Sequence, residues 1–192
     1  MKKKDILQII KKAKQVLDSG GIILYPTDTI WGIGCDATNP KAISKIYSIK
    51  KRDEKKPLII LVHSMNVLLN YVKDIPKVIH DVIKKTDKPT TIIYNNPMNL
   101  PDNLIYNNTI AARMITHGNL KLLLKSFAKP ITSTSANISG FKMGNSLVEI
   151  ENSIKQKVDY IIPEEFKNFP HQQKPSRIIK IKKNSEIEIV RE

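Results

Sequence analysis

Short apolar runs bounded by glycine, proline or asparagine alternate along this chain with segments whose apolar residues recur at helical spacing. That alternation limits the fold to layered α/β structure. The runs that read as strands are IILYP (22–26), LIILV (58–62), TTIIY (90–94), TIAARM (109–114), PITST (130–134), DYII (159–162), RIIKI (177–181) and EIEIV (186–190). Ile6, Ile10, Ala13 and Leu17 mark a first helix, which Ser19-Gly20-Gly21 stops. Asn39-Pro40 opens a second, with proline in the tolerated first turn, Ala42, Ile43, Ile46 and Tyr47 on its apolar face, and an end near Lys50. Two short helices are expected near 64–71 and 76–86, and another carries Leu120, Leu123, Leu124 and Phe127. Ser146 and Glu149 form a capping-box pattern that predicts a helix from residue 147. The last two strands are expected to pair as a hairpin across Lys183-Asn184. No repeat or linker interrupts the 192 residues, so one domain, 1–192, is expected.

Composition removes several classes of function. A lone cysteine, Cys35, excludes an intrachain disulfide and suits a reducing compartment. The four histidines are scattered, and none stands at metal-ligand spacing from the cysteine. Lys11, Lys12 and Lys14 break the N-terminal apolar stretch, so it is not a secretion signal, and no run is long enough to span a membrane. A cytoplasmic protein is expected. The net charge of +14 admits nucleic acid as a partner, but lysine is spread along the whole chain. Arginine is more informative. Only Arg52, Arg113, Arg177 and Arg191 occur, in a chain that otherwise uses lysine, and each marks a place where a planar five-donor fork serves better than a point charge.

Four stretches carry chemistry-bearing side chains. PTDTIWGIG (26–34) places Thr27, Asp28 and Thr29 at the end of a strand, where open α/β sheets bind ligands. The following Gly32-Ile33-Gly34-Cys35-Asp36-Ala37 matches a dinucleotide fingerprint, but its first glycine comes six positions after the end of the strand and Asn39-Pro40 delays the helix, so that reading is rejected. No phosphate-binding G-x-x-x-x-G-K-[ST] loop is present. Cys35 reads as a small buried filler. Lys50-x-Arg52 offers a point cation and a fork suited to a polyphosphate, while Lys55 and Lys56 read as solvated charge. STSANISG (133–140) crowds four hydroxyls and an amide into one loop, a density beyond what a plain turn needs. KPSRI (174–178) brings Ser176 and Arg177 to the start of a strand.

Taken in order, PTDT-x-x-G, Lys50-x-Arg52, IAAR, STSANISG and PSRI resemble the YrdC-type threonylcarbamoyl-AMP synthases, from about Gly20 to Arg191. The resemblance implies a twisted mixed sheet flanked by helices, an open α/β sandwich with a concave basic cavity. It implies that ATP, L-threonine and bicarbonate or CO2 become threonylcarbamoyl-AMP and pyrophosphate, the first step of N6-threonylcarbamoyladenosine formation at tRNA position 37. Lys50 and Arg52 would act on the phosphates. Thr109, Ser135, Asn137 and Arg191 would also contact ATP, while Thr27, Arg113, Ser133 and Ser176 would hold threonine, with Arg113 on its carboxylate. Mg2+ would arrive on the ATP phosphates. The partners implied are a downstream threonylcarbamoyl-transferase complex and tRNA or double-stranded RNA. Trp31, the RMIT that follows IAA, Asp53 and Arg177 depart from the family pattern. Two rivals stand beside this reading: a non-catalytic double-stranded RNA or tRNA binding module, and a carbamoyl-transfer domain of the hydrogenase-maturation type. No general base for the threonine amine is identified.

Overall fold

A computed structural model of the chain describes residues 1–73, 75–86, 88–142, 144, 146–168, 174–182 and 186–192. Their nine strands join one mixed sheet in the order β7-β1-β2-β6-β3-β5-β4-β8-β9. The strands are β1 (Ile23–Pro26), β2 (Trp31–Gly34), β3 (Ile59–Val62), β4 (Thr90–Asn95), β5 (Thr109–Met114), β6 (Ile131–Ser135), β7 (Tyr160–Ile161), β8 (Arg177–Ile181) and β9 (Ile187–Arg191). The helices are α1 (Lys3–Asp18), α2 (Pro40–Lys50), α3 (Met65–Leu68), α4 (Lys77–Lys85), α5 (Gly118–Phe127) and α6 (Asn152–Lys155). Parallel pairs (β1 with β7, β3 with β5, β4 with β8) mix with antiparallel ones.

Register sorts the side chains to two faces, because paired residues point the same way and neighbours along a strand point oppositely. On one face lie Leu24, Ile33, Ile60, Ala112, Ile92 and Ile179, which pack with Ala42, Ile43 and Ile46 of α2. On the other, the pairings run from Tyr25 to Gly32, Gly32 to Ser135, Ser133 to Ile59, Leu61 to Arg113, Arg113 to Thr91, Thr91 to Ile178 and Ile178 to Arg191. Helices α1 and α5 cover only part of this second face, where Ile10, Ala13, Leu17, Leu120, Leu123 and Leu124 close over Ile23, Leu61 and Ile131. The uncovered remainder carries the hydroxyls and the arginines.

Two elements differ from the expectation. WGIG, absent from the expected strands, is strand β2, which returns antiparallel to β1 across Thr27–Ile30. All four of its residues are buried, so it lacks the polar alternation that marks a half-exposed strand. Both glycines are packing glycines: a Cβ on Gly34 would stand 2.0 Å from the Thr132 carbonyl oxygen. The helix expected from residue 147 is a single turn. Ser146 Oγ does meet Glu149 Oε1 at 3.3 Å, but Glu151 is extended (φ −56°, ψ 136°), and α6 starts afresh at Asn152. A capping box satisfies donors of the first turn and does not by itself propagate a helix. β8 and β9 pair antiparallel as expected, and Lys183-Asn184 lies outside the described residues.

Candidate active site

The uncovered part of the second face is a hollow of about 200 Å³. Thr27, Thr29, Trp31, Gly32, Arg52, Arg113, Ser133, Ser135, Ser176 and Arg191 line it, together with Ile30, Pro57, Ile59, Thr134, Pro175 and Ile178. Each arginine arrives by its own local device. Asn39 caps α2 by accepting from the Ala42 amide at 3.1 Å. At the other end of α2, Lys51 adopts the left-handed conformation (φ 49°, ψ 44°), and the Arg52 amide returns to the Tyr47 carbonyl at 3.0 Å. The chain therefore reverses after Lys50. Arg52 then donates through Nε to the Lys56 carbonyl at 2.9 Å and through Nη2 to the Pro57 carbonyl at 3.3 Å. Strand β5 delivers Arg113, which is buried, with Nη2 at 2.9 Å from Asp28 Oδ1 and 3.4 Å from Thr29 Oγ1. The Asp28 contact is an ion pair without good hydrogen-bond alignment, and Arg113 Nε has no hydrogen-bond partner among the described residues. Strand β9 delivers Arg191, whose Nη2 and Nε donate to the Ser176 carbonyl at 2.7 and 3.1 Å.

Three guanidinium groups share one hollow, and Arg113 repels Arg191 within it. Burial first, and then Arg113, lower the pKa of Arg191; burial lowers that of Arg52. A bound anion relieves this strain, so the hollow is built for anionic ligands. The hydroxyls set its geometry. Thr27 Oγ1 donates to the Ile30 carbonyl at 2.6 Å and lies 2.9 Å from Thr29 Oγ1, which stiffens the turn between β1 and β2. Ser176 Oγ lies 2.7 Å from Thr91 Oγ1.

Lys50 does something different from Arg52. Its side chain is 1% exposed and does not line the hollow. Its ammonium donates to the Ser135 carbonyl, to the Asn137 carbonyl at 2.6 Å, and faces Asn137 Oδ1 at 3.4 Å. Ser135 Oγ donates to Asn137 Oδ1 at 2.5 Å, and Asn137 Nδ2 to the Phe141 carbonyl at 2.6 Å. Lys50 thus pins the loop that follows β6, and Asn137 is spent on that loop. Burial, then Arg52, push the Lys50 pKa down to about 7, and the ring of oxygen acceptors works in the opposite direction.

Of the site residues expected from sequence, Thr27, Arg52, Arg113, Ser133, Ser135, Ser176 and Arg191 meet in the hollow. Lys50 and Asn137 adjoin it through the loop after β6. Thr109 lies outside the lining, two residues before the Ala111 that pairs with Ile59, and its hydroxyl donates to the Tyr106 carbonyl at 2.7 Å. Arg177 lies outside it too, 3.6 Å from Glu192 Oε1, because its neighbour Ile178 takes the hollow side of β8. Lys55 and Lys56 are exposed, as expected. Cys35 is buried beside Thr132, and burial pushes its thiol up to about 12, so it is no nucleophile. Asp28, Thr29 and Gly32 are the additions. Asp28 and Thr29 stood in the motif without a role, and the spacing of Gly32 to the strand concealed it.

The Sua5/YciO/YrdC family model, described as "Telomere recombination", matches residues 15–192. The chain belongs to the Sua5/YciO/YrdC family. Within that family it is 34% identical over 159 residues to the threonylcarbamoyl-AMP synthase of Pseudoalteromonas translucida, covering 81% of this chain and 85% of that protein. Its fold matches that of P. abyssi Sua5 complexed with L-threonine with a TM-score of 0.80 at 26% identity, over 89% of this chain and 50% of that one. The chain therefore spans about half the length of that Sua5 protein. E. coli YciO shares the fold over 96% of this chain and 89% of its own, with a TM-score of 0.77 at 22% identity. The twisted mixed sheet flanked by helices is thus the fold of this family.

Proposed function

We propose that this chain is an L-threonylcarbamoyladenylate synthase, which joins L-threonine, bicarbonate or CO2, and ATP into threonylcarbamoyl-AMP with release of pyrophosphate. The observation that carries the reading is the convergence of Arg52, Arg113 and Arg191, from the turn after α2, from β5 and from β9, on a hydroxyl-lined hollow. Relatives named threonylcarbamoyl-AMP synthase and a Sua5 structure holding L-threonine support it.

The chemistry brings a carboxylate oxygen of N-carboxylated threonine onto the α-phosphate of ATP, and the new O–P bond forms as the α–β phosphoanhydride bond breaks and pyrophosphate leaves. Both partners are anions, so the protein's contribution is placed positive charge and orientation. In this reading Arg113 takes the amino-acid carboxylate, with Thr27, Ser133 and Ser176 around the rest of that substrate. Arg52 and Arg191 take phosphate oxygens. Ser135 and Asn137 present the loop after β6 to the nucleotide, Lys50 fixes that loop beside the phosphates, and Thr109 contacts the nucleotide from the start of β5. Among the described residues no cluster of three His, Cys, Asp or Glu side chains stands ready for a metal. In this reading Mg2+ enters as part of the Mg–ATP substrate, held by phosphates and water.

The product supplies tRNA N6-threonylcarbamoyladenosine synthesis through a downstream threonylcarbamoyl-transferase complex in the cytoplasm, with tRNA or double-stranded RNA contact on the basic surface. No described helix is long and apolar enough to cross a membrane. The test is pyrophosphate release from ATP, with threonine and bicarbonate omitted in turn. Release that requires both supports the reading. ATP turnover indifferent to threonine overturns it, and no turnover at all alongside salt-sensitive RNA binding overturns it in favour of an RNA-binding module.

A further inference from the structure

The three arginines of the hollow differ in what already holds them. Arg52 and Arg191 rest on neutral oxygens, the carbonyls of Lys56 and Pro57 and of Ser176. Arg113 alone among them has a carboxylate partner among the described residues, Asp28 at 2.9 Å. Asp28 itself does not line the hollow. It stands on the far side of Arg113, in the wall of a second cavity of about 250 Å³ that opens beside Ala112, Met114 and Thr116. Arg113 lines the hollow and Asp28 lines the second cavity, so the ion pair links the wall of one to the wall of the other.

This arrangement has an electrostatic consequence. A ligand at Arg52 or Arg191 meets a full positive charge. A ligand at Arg113 meets a charge already offset by Asp28. Attraction scales with ligand charge, so the offset weakens a phosphate, with about two negative charges, more than a carboxylate with one. We propose that Asp28 is a specificity-determining residue, a fixed counter-charge that reserves Arg113 for a carboxylate and keeps phosphate groups on the other two arginines. The two anionic substrates are thereby sorted within one basic hollow. Asp28 touches no substrate and acts through Arg113. The inference rests on the assignment of Arg113 to the threonine carboxylate.

The test is calorimetric titration of the full chain with L-threonine, alone and in the presence of inorganic phosphate, for the wild type and for Asp28→Asn, Asp28→Ser and Asp28→Glu. The readout is the ratio of the phosphate inhibition constant to the threonine dissociation constant. Removing the charge in Asp28→Asn or Asp28→Ser is expected to lower that ratio by about fivefold or more. Asp28→Glu, which restores the charge, is expected to stay near the wild type. A merely structural role would weaken both ligands alike and could not strengthen phosphate. An unchanged ratio in the charge-removing variants, or a glutamate variant that behaves like asparagine, overturns the proposal. Failure of both charge-removing variants to fold also overturns it, because Asp28 would then be a structural anchor. A wild type that binds no threonine at all overturns the proposed function itself, whereas an unchanged ratio in an enzyme that binds threonine and releases pyrophosphate overturns only the role of Asp28.

Discussion

Lys50 and Arg52 stand two positions apart, yet the one is sealed and the other open, and the difference lies in Lys51. Its left-handed turn ends α2 and sends Arg52 across the hollow, while Lys50, still helical, points into the loop after β6. The buried ammonium has a measurable signature. With a native pKa of about 7 against an ordinary 10.5, Lys50 binds fewer protons folded than unfolded across that interval. Stability therefore rises with pH between those two values wherever this group dominates. Measured against Lys50→Met, which removes the titrating group, wild-type unfolding free energy should climb from about pH 7 towards 10.5. Parallel pH profiles in denaturant titrations would show that the carbonyl ring has restored an ordinary lysine. Gly32 gives a second single-residue test. A Cβ there would lie 3.1 Å from Thr27 Cγ2 and 3.2 Å from Ser133 Oγ, both lining the hollow, and 3.4 Å from the buried Tyr25 Cζ. Gly32→Ala should raise the threonine KM by about tenfold or more with the melting temperature within a few degrees of wild type, because only side chains must yield. An unchanged KM would remove Gly32 from the site.

At the scale of elements, the strands with apolar runs and the helices with an apolar face at helical spacing were legible in the sequence, the capping box at Ser146 marked only a turn, and β5 occupies the six residues expected of it. Strand β2 was not, because burial on both faces erased its alternation and its glycines imitate a turn. The cause that hid it also makes it fragile. Gly34 lies against the Thr132 carbonyl of β6, and a methyl group there meets backbone at 2.0 Å. Gly34→Ala must force β2 from β6, so a loss of roughly 3 kcal/mol or more in chemical denaturation is expected, against little for Gly32→Ala. Comparable stability of the two variants would mean that the β2–β6 contact relaxes freely. The site was legible for a related reason. In a chain rich in lysine, arginine and clustered hydroxyls stood out as residue types, and three of the four arginines do converge. What one-dimensional spacing could not supply was partnership: that Lys50 binds carbonyls, that Arg177 turns to Glu192, and that Asp28 backs Arg113.

The whole molecule carries a net charge of +14, so any polyphosphate will adhere somewhere on it, and a test of the site must separate hollow from surface. The arginines of the hollow come from the turn after α2, from β5 and from β9, and span the chain from residue 52 to residue 191. A ligand that bridges them ties the first half of the chain to its last strand, an edge strand with Ile187, Ile189 and Val190 all exposed. Bound ATP should therefore stabilise the fold as a unit. At about a hundredfold excess over its Kd it contributes about 2.7 kcal/mol, which in a chain of this size raises the melting temperature by roughly 5–10 °C. Adhesion to surface lysines instead fades within a Debye length of about 8 Å at physiological salt. The discriminating experiment melts wild type, Arg52→Ala and Arg191→Ala with and without Mg–ATP in about 0.15 M and about 0.5 M salt. Hollow binding predicts a shift that survives the higher salt in wild type and falls by more than half in either variant. A shift that disappears with salt and is equal in all three proteins would put the nucleotide on the lysine-covered exterior and leave the arginine cluster without its ligand.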